Sequence, residues 1–157
     1  MLSDETKADS FTEFVTATEP RLRRALTAGY GPERGREAAA EALAYGWEHW
    51  DRIRDMDNPA GYLYAVGRDR ARRMGRRRER VADLPTVGAG REPWIEPALP
   101  DALTRLPEQQ RTVVALLHGY QWSLSEVAEL LGVSKGTVQT HANRGLERLR
   151  RRLGVEL

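Results

Sequence analysis

Leu124-Ser125-Glu126-Val127-Ala128-Glu129-Leu130-Leu131-Gly132-Val133-Ser134-Lys135-Gly136-Thr137-Val138 is the stretch whose reading decides the fold. Ser123-Leu124-Ser125-Glu126 reads as a capping box that opens a helix. Gly132 reads as the residue that ends it, because glycine takes the left-handed backbone that reverses a chain. Ala128 is small enough for two helices to cross closely, and Val127, Leu130, Leu131, Val133 and Val138 supply a shared core. Ser134 then caps a last helix that runs to about Leu153, before Gly154, with Leu146, Leu149 and Leu153 prolonging its apolar stripe. The pattern is a helix-turn-helix. The outer face of its second helix is expected to carry Lys135, Thr137, Gln139, Thr140, His141 and Arg144, flanked by Ser134 and Arg148. These side chains mix base-edge readers with phosphate binders.

Working outward from this stretch, a short helix is expected around Asp101 to Leu106 and another from Pro107 to His118, ended by Gly119. With the helix-turn-helix they make a four-helix unit over 101–154. From Val81 to Pro100 the prolines at 85, 93, 97 and 100 and the glycines at 88 and 90 interrupt every helix or strand period, so 81–100 reads as a linker. Within it, Trp94 and Ile95 are expected to anchor the segment against a neighbouring domain. Fully extended, about 20 residues reach roughly 60 Å.

Before the linker, Ser10-Phe11-Thr12-Glu13 reads as a capping box, followed by Phe14, Val15, Leu22 and Leu26 near a helical period. Pro20 is expected to kink or restart that helix. Gly29-Tyr30-Gly31-Pro32 is a turn that opens a second helix, expected to reach about Arg54 with Ala39, Leu43, Trp47, Trp50 and Ile53 near one face. Asn58 and Pro59 then start a third, carrying Tyr62, Leu63, Val66 and a run of arginines. The fold class is all-α: an N-terminal helical bundle over 8–80 and a C-terminal four-helix domain over 101–154, joined by a Pro/Gly-rich linker. Two small cores are expected, since only 7% of the 157 residues are aromatic.

Charge locates the contact faces. The chain carries 25 basic and 23 acidic residues, but 68–80 holds 8 basic against 2 acidic, and 134–157 holds 6 against 2. Two basic segments separated by acidic ones suggest two places that touch a polyanion. The absence of cysteine excludes disulfides, thiolate nucleophiles and cysteine-based metal sites. His49, His118 and His141 have no metal-binding spacing, and no phosphate-loop or nucleophile-elbow sequence occurs, so no catalytic residue, metal or cofactor is assigned. No stretch is apolar enough to span a membrane and the start is acidic, so a cytoplasmic protein is expected.

The assembled segments resemble the extracytoplasmic-function sigma factors, the short sigma-70 family subunits of bacterial RNA polymerase. In the C-terminal half the resemblance rests on Leu106-Pro107-Glu108-Gln109-Gln110-Arg111, on Ser125 through Val138, and on Arg144-Gly145-Leu146-Glu147-Arg148-Leu149-Arg150. In the N-terminal half it rests on Glu37-Ala38-Ala39-Ala40-Glu41-Ala42-Leu43 with Trp47, and on Asn58-Pro59-Ala60-Gly61-Tyr62-Leu63-Tyr64. Ala40 stands where the family usually has glutamine, Asp69 where it has asparagine, and Arg73 where it often has aspartate.

The resemblance implies that Glu37, Ala40, Glu41, Leu43 and Trp47 bind the clamp of the largest polymerase subunit, and that the C-terminal domain meets the flap of the second-largest. Asn58, Tyr62, Arg68, Asp69, Arg72, Arg73, Arg76 and Arg77 would engage and melt the minus-ten element. Ser134, Lys135, Thr137, Gln139, Thr140, His141, Arg144 and Arg148 would enter the major groove at the minus-thirty-five element. An anti-sigma partner and a place at the bacterial nucleoid are implied as well. LuxR-type regulators share the helix-turn-helix, so a stand-alone DNA-binding regulator is the alternative reading.

Overall fold

The computed structural model describes residues 3–81 and 98–154, the side chains of 77–81 excepted. The expected linker between 82 and 97, with Trp94 and Ile95, lies outside the described residues.

The first helix, α1, spans Asp4–Tyr30. It starts well before the expected capping box, because Ser3 caps it by accepting from the Thr6 amide at 3.3 Å. Ser10 serves a different purpose: its hydroxyl accepts from the Trp50 indole N–H at 3.2 Å. Pro20 sits inside α1 and does not restart it. Leu22, Ala25 and Leu26 beyond it are fully buried, and burial of that face sustains the helix across the missing amide.

α2 spans Pro32–Glu48 and packs on α1 through a stripe of small residues, Gly35, Ala38, Ala39, Ala42 and Gly46. It stops short of Arg54. His49 leaves helical geometry at φ −117° and ψ 22°, and α3 is a separate turn, Trp50–Ile53. Trp50 and Ile53 are buried beyond the break, and Trp50 meets the Phe11 and Phe14 rings at 5.2 and 4.8 Å.

α4 spans Pro59–Val81, capped by Asn58 as expected, with the Gly61 amide donating to Asn58 Oδ1 at 3.0 Å. α5 spans Leu99–Thr104, so the chain is already helical two residues before the expected start at Asp101. α6 spans Glu108–Val114 and widens into a π-helical turn over Ala115–Gly119. The helical turn ends at Gly119 as expected, and Gln121 just beyond it takes a left-handed φ of +59°.

The stretch that decided the fold forms as read. α7 spans Leu124–Leu131 behind a complete Ser123/Glu126 capping box, and Gly132 takes the left-handed conformation at φ 71°. α8 spans Lys135–Leu153, capped by Ser134 and closed by left-handed Gly154. Helices and their connections make up all the described residues.

The cores are not separate. Leu22, Leu26, Ile53 and Leu63 of the N-terminal unit join Val113, Leu116, Val127 and Val138 of the C-terminal unit in one continuous buried cluster. A smaller cluster, Ala102, Leu106, Val114 and Leu149, holds α5 to α8. The expectation of two small independent cores fails because α6 lies directly on α1 and α7 on α4. Gly29, near the end of α1, makes this approach possible: a Cβ there would come within 2.5 Å of the Thr112 hydroxyl.

Candidate polymerase and promoter interfaces

Three surfaces collect the candidate residues. The first is the outer face of α2. Its buried small-residue stripe turns Glu37 and Ala40 to solvent. Glu41 is half-buried with a carboxylate oxygen 3.9 Å from Arg70, and Leu43 is half-buried against the core. Trp47 is 40% exposed, an unusual state for so large an apolar side chain, with the Lys7 ammonium 4.7 Å from its ring and Phe11 behind it. This face therefore offers carboxylates around an exposed indole.

The second surface is α4 with the loop before it. Tyr62 is half-buried, and its hydroxyl lies 3.4 Å from that of Tyr45. Arg52 of α3 donates to the Tyr45 hydroxyl at 3.2 Å, and its guanidinium lies over the Tyr62 ring. The Tyr62 hydrogen bond foremost, then Arg52, draws the Tyr45 phenol below its ordinary range. Arg68 lies over the Tyr64 ring at 5.7 Å, and burial pushes the Tyr64 phenol up to about 12, so it stays neutral. Asp69 and Arg73 pair along the exposed side of α4 at 2.9 Å, and Arg76 is exposed. The Arg77 side chain lies outside the described residues.

Asn58 and Arg72 face the other way, toward the C-terminal unit. Asn58 Nδ2 donates to the Glu129 carbonyl of α7 at 2.7 Å. Arg72 donates from Nε at 3.0 Å and from Nη2 at 2.7 Å to the same Glu108 carboxylate oxygen on α6. Burial opposes ionisation of Glu108, but the Arg72 guanidinium, together with the Tyr30 hydroxyl and Arg111, outweighs it and holds the carboxyl below the usual range. Tyr30 is buried alongside, and burial foremost, with Glu108 next to it, raises its phenol far above the ordinary value. Arg111 completes the seam by donating from Nε to the Gly29 carbonyl at 2.8 Å and from Nη1 to the Thr104 and Leu106 carbonyls at 3.0 Å.

The third surface is α8. Ser134 and Thr137 spend their polar groups on the cap: the Thr137 amide donates to Ser134 Oγ at 3.0 Å and the two hydroxyls meet at 2.9 Å. Lys135, Gln139, Thr140 and Arg144 are exposed together on the first three turns. Gln139 donates to Asn143 Oδ1 at 3.0 Å, so Asn143 belongs to this face although sequence reading passed over it.

Two expected members do not share the face. His141 is half-buried, with its Nδ1 buried and unpartnered among the seam residues Tyr64, Arg68, Glu108 and Thr112. Its position places it a third of a turn from Thr140, on the side of α8 that meets α6. Arg148 is exposed but lies about 20 Å along α8 from Lys135 at 1.5 Å per residue. There it lines a cleft of about 370 Å³ with Arg105, Arg151 and Arg152. No group of metal-ligating side chains is found among the described residues, and no helix among them is long and apolar enough to cross a membrane.

Residues 97–149 match the family Sigma-70, region 4. Over 151 residues the chain is 32% identical to the RNA polymerase sigma-E factor of Streptomyces coelicolor, covering 91% of this chain and 85% of that one. It belongs to the extracytoplasmic-function sigma factors. The sigma-E factor of Streptomyces avermitilis is 33% identical over 152 residues, covering 91% of this chain and 84% of the relative. Two solved structures share the fold at 20% identity. The sigma factor RpoE from Bartonella quintana, solved with the anti-sigma factor NepR, gives a TM-score of 0.66 over 94% of this chain and 98% of that one. CnrH, solved with the cytosolic domain of CnrY, gives 0.57 over 94% of each. As a sigma factor the chain works with core RNA polymerase on promoter DNA, directing initiation to specific promoters.

Proposed function

We propose that this sigma factor reads its promoter at two points while a third surface holds it to the polymerase. Glu37, Ala40, Glu41, Leu43 and Trp47 meet the clamp of the largest subunit, and the C-terminal unit meets the flap of the second-largest. Asn58, Tyr62, Arg68, Asp69, Arg72, Arg73, Arg76 and Arg77 engage the minus-ten element, where the aromatic and arginine planes suit an unstacked base. Lys135, Gln139, Thr140 and Arg144 enter the major groove at the minus-thirty-five element. Asn143 adds to that face, Ser134 and Thr137 fix its helix end, and Arg148 contributes charge at a distance. The 81–100 segment spans the two elements, and the protein acts in the bacterial cytoplasm, at the nucleoid. An anti-sigma factor is a fitting regulator, since both solved neighbours were captured with one or with a partner's cytosolic domain. The mechanism uses binding and strand separation and calls on no catalytic group.

The observation that carries this reading is the exposed polar face at the start of α8, presented by an intact Ser134 cap behind a left-handed Gly132. Run-off transcription with core polymerase on a genomic fragment library tests it. New discrete start sites are expected when the chain is added. Specific duplex binding without polymerase, and no start sites, would instead support a stand-alone regulator.

A further inference from the structure

A second basic surface lies on the back of α8. Arg148 and Arg152 each stand nine residues beyond a member of the recognition face, Gln139 and Asn143 respectively. Nine residues make about two and a half turns at about 3.6 residues per turn, so both side chains leave α8 on the side opposite that face. A duplex seated on Gln139 and Asn143 therefore lies across the helix from them. They line instead the cleft of about 370 Å³ between α5 and α8, together with Arg105 and Arg151, and the buried Ala102 and Leu106 close its base. Two of these four arginines are matched within the protein: Arg105 Nε lies 3.1 Å from the Asp101 carboxylate, and Arg151 pairs with Glu147. Arg148 and Arg152 have no hydrogen-bond or ion-pair partner among the described residues, and they sit four apart on one helix, where like charges repel. A cation in the last turn suits the carbonyl end of a helix, which accounts for Arg152 but not for Arg148 a turn earlier.

We propose that this cleft binds a small ligand through two adjacent phosphoryl groups, a phosphate chain that is either free or carried by a nucleotide. Guanidinium forks match phosphate oxygens two at a time, and arginines one turn apart can each take one phosphoryl group. With Arg105 lining the opposite wall, the ligand ties α5 to α8 across the small core of Ala102, Leu106 and Leu149. Size favours a small molecule over a partner helix. One turn of an α-helix with its side chains, about 10–12 Å across and about 5.4 Å long, takes roughly 400–600 Å³, more than the cleft offers. The inference goes beyond promoter reading and does not depend on which bases α8 contacts.

The test is isothermal titration of the full chain with pyrophosphate, ATP, adenosine and sulfate, without divalent metal and at one ionic strength. Pyrophosphate and ATP should bind and adenosine should not. Equal affinities for the two assign a free phosphate chain, and tighter ATP assigns a nucleotide. Arg148→Gln with Arg152→Gln should weaken both by roughly tenfold or more, the scale of a lost charge-assisted contact. Lys135→Ala with Arg144→Ala removes as much charge from the recognition face and should leave both affinities unchanged. Glu147→Gln frees Arg151 and should tighten both by roughly two- to fivefold. All five side chains are exposed, so the fold should survive each change. A wild type that binds neither pyrophosphate nor ATP, sulfate bound as tightly as pyrophosphate, or equal losses in the two double variants would overturn the inference. So would a promoter duplex weakened as much by the Arg148 and Arg152 pair as by the Lys135 and Arg144 pair, which returns the cleft to the DNA surface. The promoter reading keeps its own test in run-off transcription, so the two fail separately.

Discussion

Two faces of the N-terminal unit stand in different conditions. On the outer side of α2, Glu37 and Ala40 meet solvent and Trp47 lies 40% exposed. On the inner side of α4, Asn58 and Arg72 are already engaged by the C-terminal unit. Small residues make the first face: a stripe of glycine and alanine lets α2 lie tightly on α1 and leaves its larger side chains pointing out. Contacts far apart in the chain make the second, bridging 71 residues from Asn58 and 36 from Arg72. The face proposed for the polymerase therefore stands open while the side proposed for the promoter is held, so substitutions can alter the two separately.

The most damaging change should be one that fails to respect this separation. Leu116 is fully buried in the cluster that joins both units. Leu116→Ala should cost about 2–5 kcal/mol, and both units should lose stability in one cooperative transition when unfolding is followed by urea and circular dichroism. Two resolved transitions, with only the C-terminal one shifted, would break the picture of a shared core.

Smaller effects should map the recognition face. Gln139→Ala should change base preference at one promoter position by about 1–3 kcal/mol, whereas Lys135→Ala and Arg144→Ala should weaken binding broadly and each flatten the salt slope by about 1. Competition binding on promoter variants at several salt concentrations separates the two. A Gln139→Ala variant that altered only the salt slope would mean the face is rotated from the one described. Next in size, Ser134→Ala should cost about 1 kcal/mol of stability, because the Thr137 amide and hydroxyl both lose their partner while no apolar contact changes.

The gentlest perturbation of the held face is pH. Glu108 titrates below the ordinary carboxylate value in the folded chain because Arg72, together with the Tyr30 hydroxyl and Arg111, holds it ionised against the cost of burial. Its contribution is therefore present above the ordinary value of about 4 and is lost as pH falls through the lowered folded value. Lowering pH into that range should destabilise the wild type more than Glu108→Gln, as read by urea unfolding at each pH.

Local signals carried far. The Ser123 box, the left-handed Gly132, the Ser134 cap and the end of α8 at Gly154 were all legible, because each is a bargain struck among neighbours within four residues. The start of α1 was misplaced because Ser3 and Ser10 present equivalent caps, and the choice between them falls to Trp50, whose indole takes the Ser10 hydroxyl from 40 residues away. The break at His49 leaves no glycine or proline to mark it. Trp50 and Ile53 beyond it are buried where the spacing of a continuous helix also puts them, so periodicity gave no sign of the break. His141 was set on the outer face with its neighbours because helical spacing alone does not say where α6 will lie. Glu108, Arg111, Gly29 and Glu129 were missed as a group, since what unites them is the approach of two units and no periodicity announces it.

The separation of the two faces is tested most directly by co-purification with core RNA polymerase, run side by side for wild type, Arg72→Gln and the pair Glu37→Lys with Glu41→Lys. The account predicts that the lysine pair loses core polymerase while remaining folded, and that Arg72→Gln retains core polymerase in full but fails to direct initiation. A lysine pair that still retained core polymerase, or an Arg72→Gln chain that lost it, would contradict the account.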